Sequence, residues 1–221
     1  MTGGPFTGVI ALDGPSGTGK STVACRVADA LHARFLDTGA MYRAATVAVL
    51  RAGDSLDDPD AIAATVSRSR IDLTTHTGPQ RVEVDGSDVT AEIRGEPVTL
   101  AVSAVSAVPA VRQQLVAQQQ ALIGAGGIVV EGRDIGTVVA PDAELKIFLT
   151  AHPEVRASRR SRQAGGPVEA VAKDMRRRDT YDSSRAASPL RAAADAVEVD
   201  TSELSIDEVV GRILALVGVP R

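Results

Sequence analysis

Aromatic residues are scarce in this chain of 221 residues, which has three Phe, two Tyr and no Trp. Proteins that bind single strands by stacking bases need aromatic platforms, so membership of this class is not expected. The formal net charge of −4 also argues against a general nucleic-acid binder. Hydrophobic residues make up 44% of the chain, so Ala, Val, Leu and Ile can build the core of one sizeable domain.

Cysteine is represented by Cys25 alone, so an internal disulfide is excluded and a reducing compartment is indicated. No apolar run approaches the ~20 residues that span a bilayer, and the first residues lack the apolar segment of a signal peptide. The three histidines show no metal-ligand spacing. We therefore expect a cytoplasmic protein without a membrane partner, and a monomer as the default state.

Asparagine is absent from the sequence. The N-K-x-D motif that selects guanine is therefore impossible, and no D-x-x-G stretch occurs either. These two absences exclude a signalling GTPase of the usual kind. A nucleoside triphosphate bound to this chain is thus expected to serve as a phosphoryl donor.

The most informative stretch present is Gly14–Ser21, which follows the G-x-x-x-x-G-K-S pattern of a P-loop. An apolar, strand-like segment precedes it at Val9–Leu12, and apolar residues recur after it as on one face of a helix. This context suits a triphosphate site, because the loop amides and the helix N-terminus attract anions. Lys20 is expected to reach the β- and γ-phosphates, and the Ser21 hydroxyl to ligate Mg²⁺.

Short apolar strands alternate with helical segments along the chain, which predicts a parallel sheet. Five strands are expected, at 9–13, 35–38, 128–131, 145–149 and 196–200. Between them, residues 69–95 alternate apolar and polar side chains around turn residues, as in a small antiparallel hairpin or three-stranded patch whose last segment is Val89–Ile93. We predict an α/β fold with a five-stranded parallel sheet of the P-loop kinase type flanked by helices, in a single domain over 1–221.

Two polar helices are predicted at 153–163 and 168–184, separated by Gly165 and Gly166. Residues 153–180 fit a mobile helical lid over the triphosphate, and a helical hairpin with solvated faces is the alternative. Arg178, Asp182 and Arg185 fall on one face of the second helix. They can grip a phosphorylated ribose, or they can form a solvated face with an Arg178–Asp182 salt bridge.

Polar residues follow two further predicted strands, at Asp37-Thr38 and at Gly132-Arg133-Asp134. Ligands of open α/β sheets gather at the carboxyl ends of the strands. Arg133 can therefore supply positive charge for phosphoryl transfer. Arg43 is expected in the first turn of a helix from about Met41 to Arg51, where an anion contact and a solvated surface position are both open.

Four stretches together resemble the bacterial cytidylate (CMP) kinase family, over nearly the whole chain. They are I-A-L-D-G-P-S-G-T-G-K-S at 10–21, L-D-T-G-A-M-Y-R at 36–43, E-G-R-D-I-G-T-V-V at 131–139 and R-D-T-Y-D-S-S-R at 178–185. The resemblance implies transfer of the ATP γ-phosphoryl group to CMP or dCMP with Mg²⁺. It also implies that the insert at 69–95 is an enlarged monophosphate-binding region.

The family pattern also implies roles for individual residues of this chain. The donor ATP is expected at Gly14, Pro15, Ser16, Gly17, Thr18, Gly19, Lys20, Ser21 and Thr22, with Arg156 and Arg160 in the lid. The CMP residues are Ser103, Arg112 and Asp134 for the base, Asp182 and Arg185 for the ribose, and Thr38, Arg43 and Arg133 for the phosphate. The catalytic set is Lys20, Arg133, Arg178 and Arg185. Without the resemblance, Ser103 and Arg112 are expected on the surface.

Two other functions fit parts of the pattern. One is a small P-loop kinase that acts on a different nucleoside monophosphate or a small metabolite. The other is a nucleotide-binding regulatory module without transferase activity. A test of which monophosphates cause release of ADP from ATP distinguishes all three.

Overall fold

The computed structural model describes residues 6–78, 80–185 and 188–218. Pro79, in the predicted β insert, lies outside the described residues. The chain divides into two compact units. The first unit comprises Met1–Phe35 and Ala125–Arg221, and the second comprises Leu36–Gly124.

Eight strands and eight α-helices are found in the described part of the chain. The strands are β1 (Val9–Asp13), β2 (Arg34–Asp37), β3 (Ile71–Leu73), β4 (Val82–Val84), β5 (Ser87–Asp88), β6 (Ile128–Gly132), β7 (Leu145–Thr150) and β8 (Val197–Asp200). The helices are α1 (Lys20–Ala30), α2 (Thr38–Ala52), α3 (Pro59–Arg68), α4 (Glu96–Ala107), α5 (Pro109–Ile123), α6 (Pro153–Ala164), α7 (Val168–Ser184) and α8 (Ile206–Val217).

The predicted five-stranded parallel sheet is confirmed, in the order β2-β6-β1-β7-β8. Its central strand β1 pairs in parallel with β6 and β7, so that Ile10 lies beside Val129 on one side and Leu145 on the other. The predicted strand limits differ from the observed ones by at most one residue, and those of β1 are the same. Since β1 is flanked on both edges, the loop that follows it starts from a rigid base.

Aliphatic side chains alone form most of the core of the first unit, as the scarcity of aromatic residues requires. Ile10 and Leu12 of β1 pack with Val27 of α1, Leu149 of β7 and Ile213 of α8, all fully buried. The last helix begins with a capping box, in which Ser205 and Glu208 exchange side chain-to-backbone hydrogen bonds at the start of α8.

In the second unit α2 packs against α3, α4 and the small antiparallel sheet β3-β4-β5. Antiparallel pairing of Ile71 with Val84 confirms the predicted β insert. The expectation of a third strand over Val89–Ile93 is wrong, because that strand ends at Asp88. The Ile93 amide donates to the Val89 carbonyl and closes a helical turn, followed by a 3₁₀ turn at Glu92–Arg94.

Helix α2 starts at Thr38, three residues before the predicted start, because Asp37 caps it. The Asp37 carboxylate accepts a hydrogen bond from the Ala40 amide at 3.0 Å. Arg43 therefore lies in the second turn and not in the first. In the second turn it opposes the helix dipole less. Asp58 caps the next helix in the same way, since it accepts from the Asp60 and Ala61 amides, and Pro59 begins α3.

No single helix among the described residues is long and apolar enough to cross a membrane. Helices α4 and α5 meet the length and composition criteria only when they are taken together, and the pair is bent by 95°.

Candidate active site

The P-loop of the first unit connects β1 to α1, and no described side chain caps the N-terminus of this helix. No acidic residue lies in the first turn of α1 either. Its first amide groups and the positive end of its dipole are thus left to an external anion. The local structure is therefore suited to a phosphate.

Two glycines of the P-loop are required by its backbone. Gly14 has a φ of +146°, and a Cβ there would lie 2.2 Å from the Leu149 carbonyl oxygen. Gly17 has a φ of +81°, and a Cβ there would lie 2.8 Å from the Arg156 carbonyl oxygen. Both the conformation and the close approach of neighbouring backbone exclude larger residues.

The carbonyl groups of the P-loop accept hydrogen bonds from side chains, several of them distant in sequence. Arg133 donates to Gly14 O at 2.7 Å, and Arg156 donates to Ser16 O at 3.0 Å. Lys20 Nζ donates to Pro15 O at 2.8 Å. Arg133 follows β6 and Arg156 lies on α6. Two separate segments of the first unit therefore hold the loop carbonyls in place.

A buried carboxylate at the end of β1, Asp13, ties the P-loop strand to the segment after β6. Its two oxygens accept hydrogen bonds from the Ile135 and Gly136 amides at 2.9 and 2.8 Å. These amides open a single π-helical turn over Ile135–Val139. Burial raises the pKa of Asp13 to about 6, with a smaller contribution from Asp134, while the two amides and Lys20 act in the opposite direction.

Three arginines of the first unit lie close enough together to affect one another. Burial, then the charges of Arg133 and Arg160, hold the pKa of the Arg178 guanidinium below its ordinary value, although Asp182 and Asp179 oppose them. The Arg178 Nε is buried without a hydrogen-bond partner in the described part of the chain. Such a cluster of guanidinium groups is suited to a phosphoryl group.

Asp182 on α7 is buried, with 4% of its surface exposed. It pairs with Arg185, and its Oδ2 lies 3.4 Å from Arg133 Nε. The alternative of a solvated face with an Arg178–Asp182 salt bridge is therefore wrong. Arg185 itself lies just beyond the end of α7, which stops at Ser184.

The two predicted lid arginines have different environments. Arg156 is 8% exposed and, besides its bond to Ser16 O, donates to Asp179 Oδ2 of α7 at 2.6 Å. Arg160 is half-buried, and its NH1 donates to Gln163 Oε1 at 3.1 Å. Gly165 and Gly166 separate α6 from α7 as predicted, both with positive φ.

The second unit contains four of the predicted CMP residues. Thr38 is buried at the start of α2, and Arg43 donates to Ile93 O at 2.9 Å and to Thr99 Oγ1 at 3.1 Å. Ser103 is half-buried on α4. Surface placement, expected from the residue pattern alone, is wrong for Arg112.

Arg112 is 4% exposed, on α5. Its guanidinium carbon lies 5.1 Å from the centre of the Tyr42 ring, and its NH1 donates to Ser106 O at 3.2 Å. A contact between residues 70 positions apart is not readable from local sequence pattern. Arg112 is thus held in place against the Tyr42 ring.

Asp13 and Thr201 were not among the predicted site residues, yet Asp13 directly precedes the P-loop and Thr201 contacts it. For Asp13 a signal exists in the sequence, since a carboxylate directly precedes the first glycine of the loop at the end of an apolar strand. For Thr201, which accepts from Arg159 and contacts Thr18 O, no local pattern marks the residue.

The family model and the related sequences agree on one family. A model of the family described as cytidylate kinase matches residues 10–218. A cytidylate kinase of Nocardia farcinica is 59% identical over 217 residues, covering 95% of this chain and 93% of the relative. One of Geobacillus kaustophilus is 49% identical, covering 94% and 95%. A solved structure of an uncharacterized protein from Eubacterium ventriosum shares the fold, with a TM-score of 0.53 at 10% identity, covering 97% of this chain and 100% of that one.

Proposed function

Since the chain belongs to the cytidylate kinase family, we propose that it transfers the γ-phosphoryl group of ATP to CMP or dCMP, giving CDP or dCDP. The observation that carries this proposal is the half-buried Arg178, whose guanidinium Nε is buried and has no partner among the described residues. Arg133 and Arg160 add positive charge beside it. A phosphoryl group in transfer spreads negative charge over three oxygens, and cations around it lower the barrier.

The donor half of the reaction is assigned to the P-loop. The Gly14–Thr22 backbone and the uncapped N-terminus of α1 bind the ATP phosphates, and Lys20 neutralises their charge. The braced loop carbonyls support this assignment, because a loop whose carbonyls are fixed also has its amides fixed. Arg156 and Arg160 act from the helical pair α6–α7, which we propose as a lid over residues 153–180.

Use of ATP by a kinase implies a divalent metal, and we propose Mg²⁺. The Ser21 hydroxyl fits it, because it is exposed in the first turn of α1 and makes no hydrogen bond to the described residues. Magnesium takes few protein ligands and completes its shell with phosphate and water oxygens, so one hydroxyl is sufficient. When bound, Mg²⁺ would neutralise charge on the ATP phosphates.

The acceptor half is assigned residue by residue. In the first unit Arg133 holds the CMP phosphate, Asp134 the cytosine amino group, and Asp182 and Arg185 the ribose. Burial of Asp134 and Asp182 supports these roles, since a buried carboxylate discriminates between donors and acceptors. This ribose contact would make 2′-deoxy substrates acceptable.

In the second unit the assigned residues are Thr38, Arg43, Ser103 and Arg112, with the β insert as part of the monophosphate-binding region. Thr38 and Arg43 contact the CMP phosphate, and Ser103 and Arg112 contact the base. Arg112 supports its role by its fixed position on Tyr42, because an oriented guanidinium can bond the O2 and N3 acceptors of cytosine. We propose that the enzyme acts as a monomer on ATP and CMP.

A coupled assay of ADP release tests the proposal, with ATP and Mg²⁺ present and CMP, dCMP, UMP, AMP or GMP added singly. CMP and dCMP are expected to give the highest kcat/KM. Release driven best by another monophosphate would favour a different small P-loop kinase. No release with any of them would leave a nucleotide-binding regulatory module as the better description.

Arg178→Ala tests the role assigned to Arg178, and Arg177→Ala on the same helix is its matched control. Arg177 is exposed, so its removal is expected to change kcat less than twofold. Loss of Arg178 is expected to lower kcat by about 100-fold, the size typical for one preorganised charge-stabilising group. Equal activity of the two variants would contradict the assignment of Arg178.

A further inference from the structure

Thr201 directly follows β8 and is buried, with 2% of its surface exposed. The Thr201 amide donates to the Thr150 carbonyl at 2.9 Å, which extends the pairing of β8 with β7 by one residue. The side chain is therefore fixed at the carboxyl end of the sheet. Nothing in the nucleotide assignment above uses this buried hydroxyl.

The Thr201 hydroxyl contacts a P-loop carbonyl. Its Oγ1 lies 3.2 Å from Thr18 O and 3.1 Å from Thr150 O, so its single proton is shared between two acceptors. Arg159 of α6 holds it from the other side, with NH1 donating to Thr201 Oγ1 at 2.9 Å and NH2 to Thr201 O at 2.6 Å. The hydroxyl thus links the P-loop, the sheet and α6.

The Thr18 carbonyl determines where the next amide points. A trans peptide is planar, and its C=O and N–H groups point in opposite directions. No cis peptide occurs in the described part of the chain. Holding the Thr18 carbonyl toward Thr201 therefore aims the Gly19 N–H to the opposite side. Gly19 is the N-cap residue of α1, in the left-handed conformation, so its amide belongs to the anion-binding end of that helix.

Given the ATP-dependent transfer proposed above, we propose that Thr201 is a positioning residue for the donor nucleotide, which fixes the Gly19 amide toward the ATP phosphates through the Thr18 carbonyl. Arg159 is the group that holds Thr201 in place. Neither residue contacts the acceptor in this scheme. Their removal should therefore weaken ATP binding while the affinity for CMP stays the same.

Thr201→Val and Thr201→Ser form the test pair, because Val keeps the shape and loses the hydroxyl, while Ser keeps the hydroxyl. Valine leaves the buried Thr18 carbonyl without this donor, and the expected rise in the KM for ATP is about tenfold. The KM for CMP is expected to change less than twofold. Serine is expected to restore the KM for ATP to within threefold of the wild-type value.

A purely structural role would lower the melting temperature of Thr201→Val and leave the KM for ATP within twofold of wild type, and this result overturns the proposal. A parallel rise in both KM values also overturns it. If Thr201→Val does not fold, Arg159→Gln replaces it, with the exposed Arg162→Gln on the same helix as control. Equal ATP affinities of these two variants, measured by equilibrium binding of a fluorescent ATP analogue, overturn the proposal.

The wild-type protein separates this proposal from the function it rests on. Wild-type enzyme without CMP-dependent ADP release contradicts the kinase assignment, while the binding measurement on the variants still tests Thr201. Active wild-type enzyme with an unaltered Thr201→Val variant contradicts the role of Thr201 alone.

Discussion

Asp13 should make the protein less stable as the pH rises. This is the opposite of the effect of a carboxyl group whose pKa is lowered by folding. Its carboxyl group is 4% exposed, and its folded pKa is about 6 against an ordinary value of 3.8. A raised pKa means that the folded protein holds this proton more tightly than the unfolded chain does. The contribution of Asp13 is therefore complete below pH 3.8 and is lost as the pH rises through about 6.

The magnitude follows from the two pKa values. Each unit of difference corresponds to about 1.4 kcal/mol, so the full contribution is about 3 kcal/mol, of which about 2 kcal/mol disappears between pH 4 and 6. Asp13→Asn removes the titration, since an amide does not ionise in this range. The free energy of unfolding of the wild type minus that of Asp13→Asn should therefore fall by about 2 kcal/mol over this interval.

Urea unfolding followed by far-UV circular dichroism measures this difference, since the chain has no Trp for fluorescence. Curves are recorded for both proteins at steps between pH 4 and 7. Asp142→Asn, at an exposed position of the same unit, gives the baseline for loss of a surface carboxylate. A wild-type minus Asp13→Asn difference that stays constant within about 0.5 kcal/mol would refute the reasoning.

Three further substitutions test the fold, two of them against a control variant. Gly14→Ala places a Cβ 2.2 Å from a backbone oxygen and should abolish ATP binding or folding, whereas Gly53→Ala, with open space around it, should leave ATP binding unchanged. Leu115→Ala should lower the free energy of unfolding in urea by about 2–5 kcal/mol, and Leu100→Ala, 55% exposed, by less than about 0.5 kcal/mol. Ser205→Ala removes the α8 capping box and should cost about 1 kcal/mol in the same measurement.

Local signals in the sequence predict most of the fold. The P-loop, the five strands and the caps at Asp58 and Ser205 each depend on residues within a few positions of one another, so pattern and spacing are sufficient. The prediction of a third insert strand over Val89–Ile93 was wrong for a different reason. Its apolar residues suit a strand, but the backbone hydrogen bond from Ile93 to Val89 closes a helical turn instead.

The environments of the candidate residues were less predictable, because they depend on contacts between distant segments. Asp13 binds the Ile135 amide across 122 positions, and this contact accompanies a π-helical turn that has no pattern of its own. The burial of Arg112 depends on the Tyr42 ring of another helix. Family resemblance selected Arg112 as a candidate for the base, but it carried no information on how its guanidinium is held.

The P-loop illustrates how a short motif depends on the rest of its unit. Of its carbonyl groups, that of Gly14 is held by Arg133, that of Ser16 by Arg156 and that of Thr18 by Thr201. Arg133 follows β6, Arg156 lies on α6 and Thr201 follows β8. Each fixed carbonyl fixes the plane of its peptide, and at Ser16 and Thr18 also the direction of the next amide. The direction of the loop amides therefore depends on three remote segments as well as on the eight-residue pattern, so the phosphate site proposed there rests on both.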